Sequence, residues 1–562
     1  MIKGFISRCR RYLSRLYHTA RSDSAPDGEL GWPHVVVTTK FWKRALTETK
    51  KGDVVLIATT VSGFHAGVLV ESLLGIALTL RGARVHYLIC DAQMPTCLQV
   101  HQGKIESVDI VTDYRMKDKV CPGCIKRGAK LLEPLGLPII RYSDHLSSSR
   151  ARELRDLAHR IDLNEIPDYV HHGVNVGQHA LSGTLRFFSR GHLPPTPEGE
   201  AVLRRYFEAA LITQEVTQSV INVLQPKVAV YNHGIYVPHG VISDVARSNA
   251  IRVVTWNVAY KSKCFIFSHD DTYHHTLIEE PTSVWENISL DGKLDKELDA
   301  YLKSRWYGTS DWIWFHDQPK HSLKAIEDEI GIDFTKPVVA ALTNVFWDAQ
   351  LHYKANAFKD MLEWLQATIA YFGTRTDLQL AIRIHPAEVR GAIPSRQPLV
   401  EEIRKLFPEL PANVFIIPPE SQASTYSLCE GSNAVIIYGT KTGVEMTAKG
   451  IPVIVAGEAW IRNKGLTLDA DTPENYLRLL EKLPLDSRMN EAQVSRARKY
   501  AYHFFFRRFI PMDFVNEDKA SPPYKIEPRT AKTLLPGGDL GLDVICDGIL
   551  RRTPFIYPAE VQ

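Results

Sequence analysis

The sequence predicts an α/β protein made of two doubly wound, parallel-sheet domains, and three observations carry that expectation. Short runs of β-branched residues recur, with glycine-flanked turns and helical stretches between them. The alternation occurs twice, on either side of a stretch between about residues 310 and 337 where it lapses. At 562 residues the chain is also too long for one ordinary core.

The first series begins at Val54 to Thr60, a buried strand by length and β-branching. A glycine-flanked turn from Ser62 to Gly67 follows, then an apolar helical period from Val68 to Leu80 that stops at Arg81-Gly82, then a strand from Val85 to Cys90. This is a βαβ unit, which implies parallel pairing. Strands at Val228 to Tyr231 and Ile251 to Thr255 continue the series, with a loop and helix between them. The second series has strands at Val338 to Leu342, Leu378 to Ile384, Val414 to Ile417, Ala434 to Tyr438 and Ile451 to Val455, with helices at Phe358 to Tyr371 and Pro473 to Leu483. The expected division is a basic extension over 1–30, a first domain over 31–330, a second over 331–485, and a helix and extension over 486–562.

Composition narrows the class. Apolar content of 44% and charged content of 23% suit a globular protein. The net charge of +3, from 67 basic and 64 acidic residues, argues against a nucleic-acid partner. No apolar run reaches the length of a membrane-spanning helix, and the start lacks the apolar core of a signal peptide. We therefore expect a cytoplasmic protein. Ile2, Phe5, Ile6, Tyr12, Leu13, Leu16 and Tyr17 recur at helical spacing among Lys3, Arg8, Arg10, Arg11, Arg15 and Arg21. Such a helix suits the anionic inner face of a membrane, and fits equally a helix docked on its own domain.

The stretch YGTKTGVEMTAKGIPVIVA, from Tyr438, carries the functional signal. In doubly wound domains ligands bind beyond the carboxyl ends of the strands. Gly439 and Gly443 let a backbone approach a ligand, Thr440 and Thr442 supply hydroxyls, and Lys441 supplies charge. The start of the following helix favours an anion, and Glu445 could accept from a ribose or sugar diol. The same residues also suit a plain strand-to-helix turn. A second element, Arg383-Ile384-His385-Pro386, ends a neighbouring strand, and the proline holds His385 extended. Arg383, His385 and Ser421 are expected to converge with Thr440 and Thr442 on a phosphate.

These segments resemble the capsule polysaccharide biosynthesis family, whose relatives include bacterial Kdo transferases with a GT-B fold. The matching motifs are His385-Pro386, Gly439-Thr440, Gly443-Val444-Glu445, Gly450-Ile451-Pro452-Val453, and Trp460 with Gly465-Leu466-Thr467, within residues 338 to 485. CDP-glycerol polymer transferases and UDP-sugar epimerases resemble the layout more distantly. The resemblance implies two Rossmann-like domains facing a central cleft, a CMP- or UDP-type sugar donor in the second domain, phosphate contacts at His385 and Thr440, and no catalytic metal. Those relatives carry Glu-Asp-Gly after a first-domain strand, where this chain has Asn232-His233-Gly234. His233 is then the candidate general base, with His239 its neighbour. Asn257, Tyr260 and Lys261 would line the same cleft, and His65 and Glu71 would face the acceptor.

Four of the eight cysteines, Cys90, Cys97, Cys121 and Cys124, form a pattern with a Cys-x2-Cys knuckle. They suit a structural zinc site, with His101 a possible substitute ligand. A redox pair and plain buried thiols fit the same residues. The leading expectation is a glycosyltransferase of surface polysaccharide assembly acting on a glycan or lipid-linked acceptor. A CDP-polyol phosphotransferase, a sugar-nucleotide epimerase and a non-catalytic scaffold with a degenerate fold are the alternatives.

Overall fold

Seven consecutive buried residues, Val54–Thr60, form strand β1 of the computed structural model. It describes residues 33–561 except 313–314, 316–318, 350–354 and 519–523, so the expected basic N-terminal helix lies outside the described residues. A strand covered on both faces belongs in the middle of a sheet with helices on either side. β2 (Arg84–Ile89) and β3 (Ile139–Arg141) flank β1 on one edge, and β4 (Val228–Asn232), β5 (Arg252–Val258) and β6 (Cys264–His269) on the other. β1 to β5 pair in parallel and β6 runs antiparallel to β5. The second sheet holds β7 (Val338–Leu342), β8 (Gln379–Arg383), β9 (Val414–Ile417), β10 (Ala434–Ile437), β11 (Val453–Val455) and β12 (Leu468–Asp469), all parallel.

The strand orders are β3-β2-β1-β4-β5-β6 and β9-β8-β7-β10-β11-β12. Each sheet reverses direction beside its first strand, at β1/β4 and β7/β10. Loops leaving those two neighbours diverge, which opens a crevice at the carboxyl edge. Both sheets are thus the doubly wound units the sequence predicts.

Leu294, Leu298 and Tyr301 of the helix Gly292–Tyr307 are buried with Val435 and Met446 of the second domain. The same cluster holds Ile266 of the first sheet, so this helix packs against both domains. The C-terminal segment is not an appended extension. After the helix Glu491–Tyr502 and one π-helical turn, His503–Arg508, strand β13 (Ile510–Pro511) pairs antiparallel with β6 and becomes the seventh strand of the first sheet. Ile545, Ile549 and Phe555 are buried with Val55, Val230 and Phe267 of that domain. Phe504, Phe505 and Phe509 are buried in a cluster that also holds Ile266 of the first sheet and Ala340 of the second. Among the described residues no helix is long and apolar enough to cross a membrane.

Because Phe555 is 1% exposed and stacks on His269 at 4.3 Å, Phe555→Ala should destabilise the first domain by about 3–5 kcal/mol in urea unfolding. Unchanged stability would mean that the tail is only laid on the surface.

Candidate active site between the two domains

Three pairs of loops leaving strand ends meet across the domain boundary. After β4, the Tyr236 hydroxyl donates to Asp348 Oδ1, after β7, at 2.5 Å. After β5, the Tyr260 ring receives Lys441 Nζ, after β10, at 4.5 Å from its centroid. In the helix Tyr273–Glu279, after β6, His275 Nε2 pairs with Glu458 Oε2, after β11, at 3.1 Å. The exits of β4 and β5 thus meet those of β7 and β10, so the carboxyl edges of both sheets face one cleft. Two Rossmann-like domains so disposed form a GT-B-like architecture.

The second-domain edge presents residues from three adjacent strands. Thr343 and Asn344 leave β7, His385 leaves β8, and Gly439 to Thr442 leave β10. Neighbouring strands lie about 4.8 Å apart, so the β8 and β10 exits stand roughly 10 Å apart with β7 between them. The His385 backbone N–H donates to Thr343 Oγ1 at 2.9 Å. Its Nδ1 accepts the Ala387 backbone N–H at 3.1 Å, which puts the ring proton on Nε2. The Thr440 and Thr442 hydroxyls lie 3.2 Å apart. Nothing stands closer than 3.5 Å to where a side chain at Gly439 would begin, so packing does not demand glycine there. Asn344 Oδ1 is buried without a hydrogen-bond partner among the described residues, and it stands 3.6 Å from that same point. Asn344 was not singled out from sequence, although its place directly after a strand at the reversal is a usable signal.

Other residues expected at this edge serve the protein's own structure. Arg383 is 2% exposed and donates to the Pro418 carbonyl at 2.5 Å and the Ser421 carbonyl at 3.2 Å. It ties down the loop after β9, and burial lowers its pKa to about 10. The Ser421 hydroxyl donates to Glu329 at 2.5 Å and accepts the Ala423 N–H. Glu445, 1% exposed, pairs with Arg305 at 3.0 Å and accepts from the Tyr426 hydroxyl at 2.6 Å, while Lys441 lies 3.5 Å from its other oxygen. Arg305 also pairs with Asp311. Burial opposes ionisation of Glu445, but Arg305 and Lys441 outweigh it and hold the carboxyl below its ordinary range. Glu445 is thus the buried anchor of its helix rather than a grip for a sugar diol, and Lys441 is committed to it and to Tyr260.

The facing edge belongs to the first domain. His233 adopts a left-handed φ of 63° and donates its N–H to the Trp256 carbonyl at 3.0 Å. Its ring lies 5.4 Å from Tyr236 and 6.4 Å from His274, and Nδ1 has no partner among the described residues. Burial lowers its pKa despite nearby Asp348, leaving a neutral imidazole at pH 7. His239 lies beneath the cleft, bonded to Thr60 Oγ1 at 2.9 Å, with its pKa lowered to about 4 by burial. Its role is to tie β1 to β4. His65 is half-buried beside the β1 exit, and burial then Arg127 depress its pKa. Glu71 does not face the cleft. It is 1% exposed, accepts from Trp256 Nε1 at 3.2 Å, and burial lifts its pKa to about 7. Asn257 donates to the Tyr273 hydroxyl at 3.3 Å, whereas Lys261 packs on the Phe506 ring at 3.8 Å. Tyr236 and His274 complete this side, and Asp348 meets Tyr236 from the second domain; none of the three has a signal in the local sequence. Cys90, Cys97, Cys121 and Cys124 line one small cavity, to which His101 does not contribute.

No protein-family model and no curated protein matches the chain. Among solved structures, Thermosulfurimonas dismutans KpsC, a β-Kdo 2,4 transferase, is similar with 12% identity and a TM-score of 0.33, over 54% of this chain and 85% of that one. UDP-GlcNAc 2-epimerase from Neisseria meningitidis, bound to UDP-GlcNAc, is similar with 10% identity and a TM-score of 0.23, over 80% and 95% of the two chains. The spinosyn rhamnosyltransferase SpnG complexed with spinosyn aglycone is similar with 11% identity and a TM-score of 0.24, over 80% and 95%. The functional reading below rests on this chain's own residues.

Two outcomes follow from the charge network. Glu445→Gln should cost about 3–5 kcal/mol of stability, because Arg305 loses one buried partner; a change confined to ligand affinity would contradict this placement. His275 is buried, which opposes its charge, but Asp271 and Glu458 raise its pKa from 6.5 to about 10. A folded-state pKa above the unfolded one gives stability that is complete below pH 6.5 and is lost as pH rises through about 10. The melting temperature should fall over that window, and less steeply in His275→Gln. Equal slopes in both proteins would count against the pair.

Proposed function

We propose that the protein is a glycosyltransferase that uses a CMP- or UDP-type sugar donor to extend a surface polysaccharide of the capsule or lipopolysaccharide type. The observation that carries this reading is the opposition of two polar edges across one cleft: His385, Asn344, Thr440 and Thr442 on one side, and a neutral His233 with an unpartnered nitrogen on the other. The donor phosphate fits the second-domain edge, where Nε2–H of His385 and the two threonine hydroxyls are donors. His233 accepts the proton of an acceptor hydroxyl as that oxygen bonds to the anomeric carbon. The bond from that carbon to the donor phosphate breaks, and the phosphate leaves with the electron pair. Negative charge then grows where His385, Thr440 and Thr442 stand. The acceptor, a glycan or lipid-linked glycan, enters past the β1 exit near His65. The basic and apolar pattern over residues 2–21 would favour the inner face of the membrane that carries such acceptors.

A thermal-shift screen of nucleotide sugars identifies the donor, since a ligand at 100 times its Kd stabilises by about 2.7 kcal/mol. With that donor and a glycan acceptor, His385→Ala and Thr440→Val should each lower kcat about 10²–10³-fold while the fold persists. The acid limb of kcat/KM should lie below pH 6.5 and disappear with the residual activity of His233→Ala. Turnover of donor to a free epimer, with no acceptor present, would replace the transferase reading by an epimerase. Full activity in both donor-side variants would remove the proposed site.

A further inference from the structure

Three separate segments bring four thiols to one place. Cys90 follows β2, Cys97 sits in the loop beyond it, and Cys121 and Cys124 occupy the first turn of the helix Cys121–Leu132. All four line a cavity of about 20 Å³, together with Thr60, Val61, Met94, Gln99, Met116 and Val120. That is room for a single ion or water. A water there would find few polar partners, since the remaining lining is mostly apolar. We propose that this cavity binds one zinc ion through four thiolates.

The chemistry of the lining supports a cation. Four thiols lining one cavity are a ligand set that a divalent ion deprotonates on binding. Four sulfur ligands select a tetrahedral ion of zinc's kind, at about 2.3 Å per bond. Among the described residues no three His, Cys, Asp or Glu side chains stand in ligating geometry, so binding requires the thiols to turn inward. Cys124 is held ready from outside: its Sγ accepts the Gly63 N–H at 2.8 Å, and its carbonyl accepts from Ser62 Oγ at 3.1 Å. Arg127, one turn further along the helix, donates to the Gly63 carbonyl at 2.6 Å. Such outer contacts orient metal ligands.

They also say what the ion does. Thr60, Val61, Ser62 and Gly63 are the exit of β1, the loop that opens the first-domain crevice, and Thr60 is bonded to His239 at the foot of the β4 loop. Zinc would fix this loop from behind without touching the cleft. The ion is structural, and its presence does not depend on which reaction the cleft performs.

The full chain, purified with its tag removed, should carry about one zinc per chain by elemental analysis. Cys90→Ser and Cys124→Ser should each lose it, whereas Cys546→Ser, buried far from the cavity, should keep it. Should the serine variants fail to fold, cobalt added to the metal-stripped parent should give the intense visible bands of tetrahedral cobalt–thiolate coordination. Zinc at the buffer blank in a folded parent, with no cobalt bands, overturns the proposal. So does iron with inorganic sulfide, or a Cys121–Cys124 disulfide in place of metal.

Discussion

Everything at the cleft follows from one topological constraint. A parallel sheet that is wound outward in both directions from its first strand sends neighbouring loops apart at that strand's carboxyl end. This chain does so twice, at β1/β4 and at β7/β10, and the two open edges are turned toward each other. Residues far apart in sequence then meet because they leave strands at these two facing edges. Tyr236 reaches Asp348 and Tyr260 reaches Lys441 for this reason alone.

Holding two crevices in register takes a rigid frame, and the frame is made of buried charge and aromatic packing. Arg305 comes from a helix that precedes the second sheet, yet it pairs with Glu445 and Asp311 beneath the β10 loop. Buried charges of this sort contribute modest net stability, but removing one partner is costly, so the arrangement is strongly specified. The phenylalanines of 504–509 join the lobes from behind, and β13 carries the chain back into the first sheet. Across the front, His275 between Asp271 and Glu458 adds a contact whose strength varies with pH.

The central strands were legible in the sequence because fully buried parallel strands are continuous β-branched runs: β1, β7 and β9 fall where those runs predict. β3, β12 and β13 have three residues or fewer, and their existence is decided by the partner strand rather than by their own residues. β6 is read only once its antiparallel partner is known. At the site, His385 and Thr440 were legible because proline and glycine mark strand exits. Arg383, Ser421, Glu445 and Glu71 were assigned to ligands because they are polar residues near such exits. Their true partners, Pro418, Glu329, Arg305 and Trp256, are set by tertiary packing, which local spacing does not encode.

The central claim is that anion recognition resides on the second-domain edge and proton transfer on the first. Calorimetric titration of nucleoside diphosphate or monophosphate into the parent, His385→Ala and His233→Ala separates the two directly. The account predicts strong weakening of binding in His385→Ala and parental affinity in His233→Ala. Parental affinity in both variants, or loss in His233→Ala alone, would contradict it.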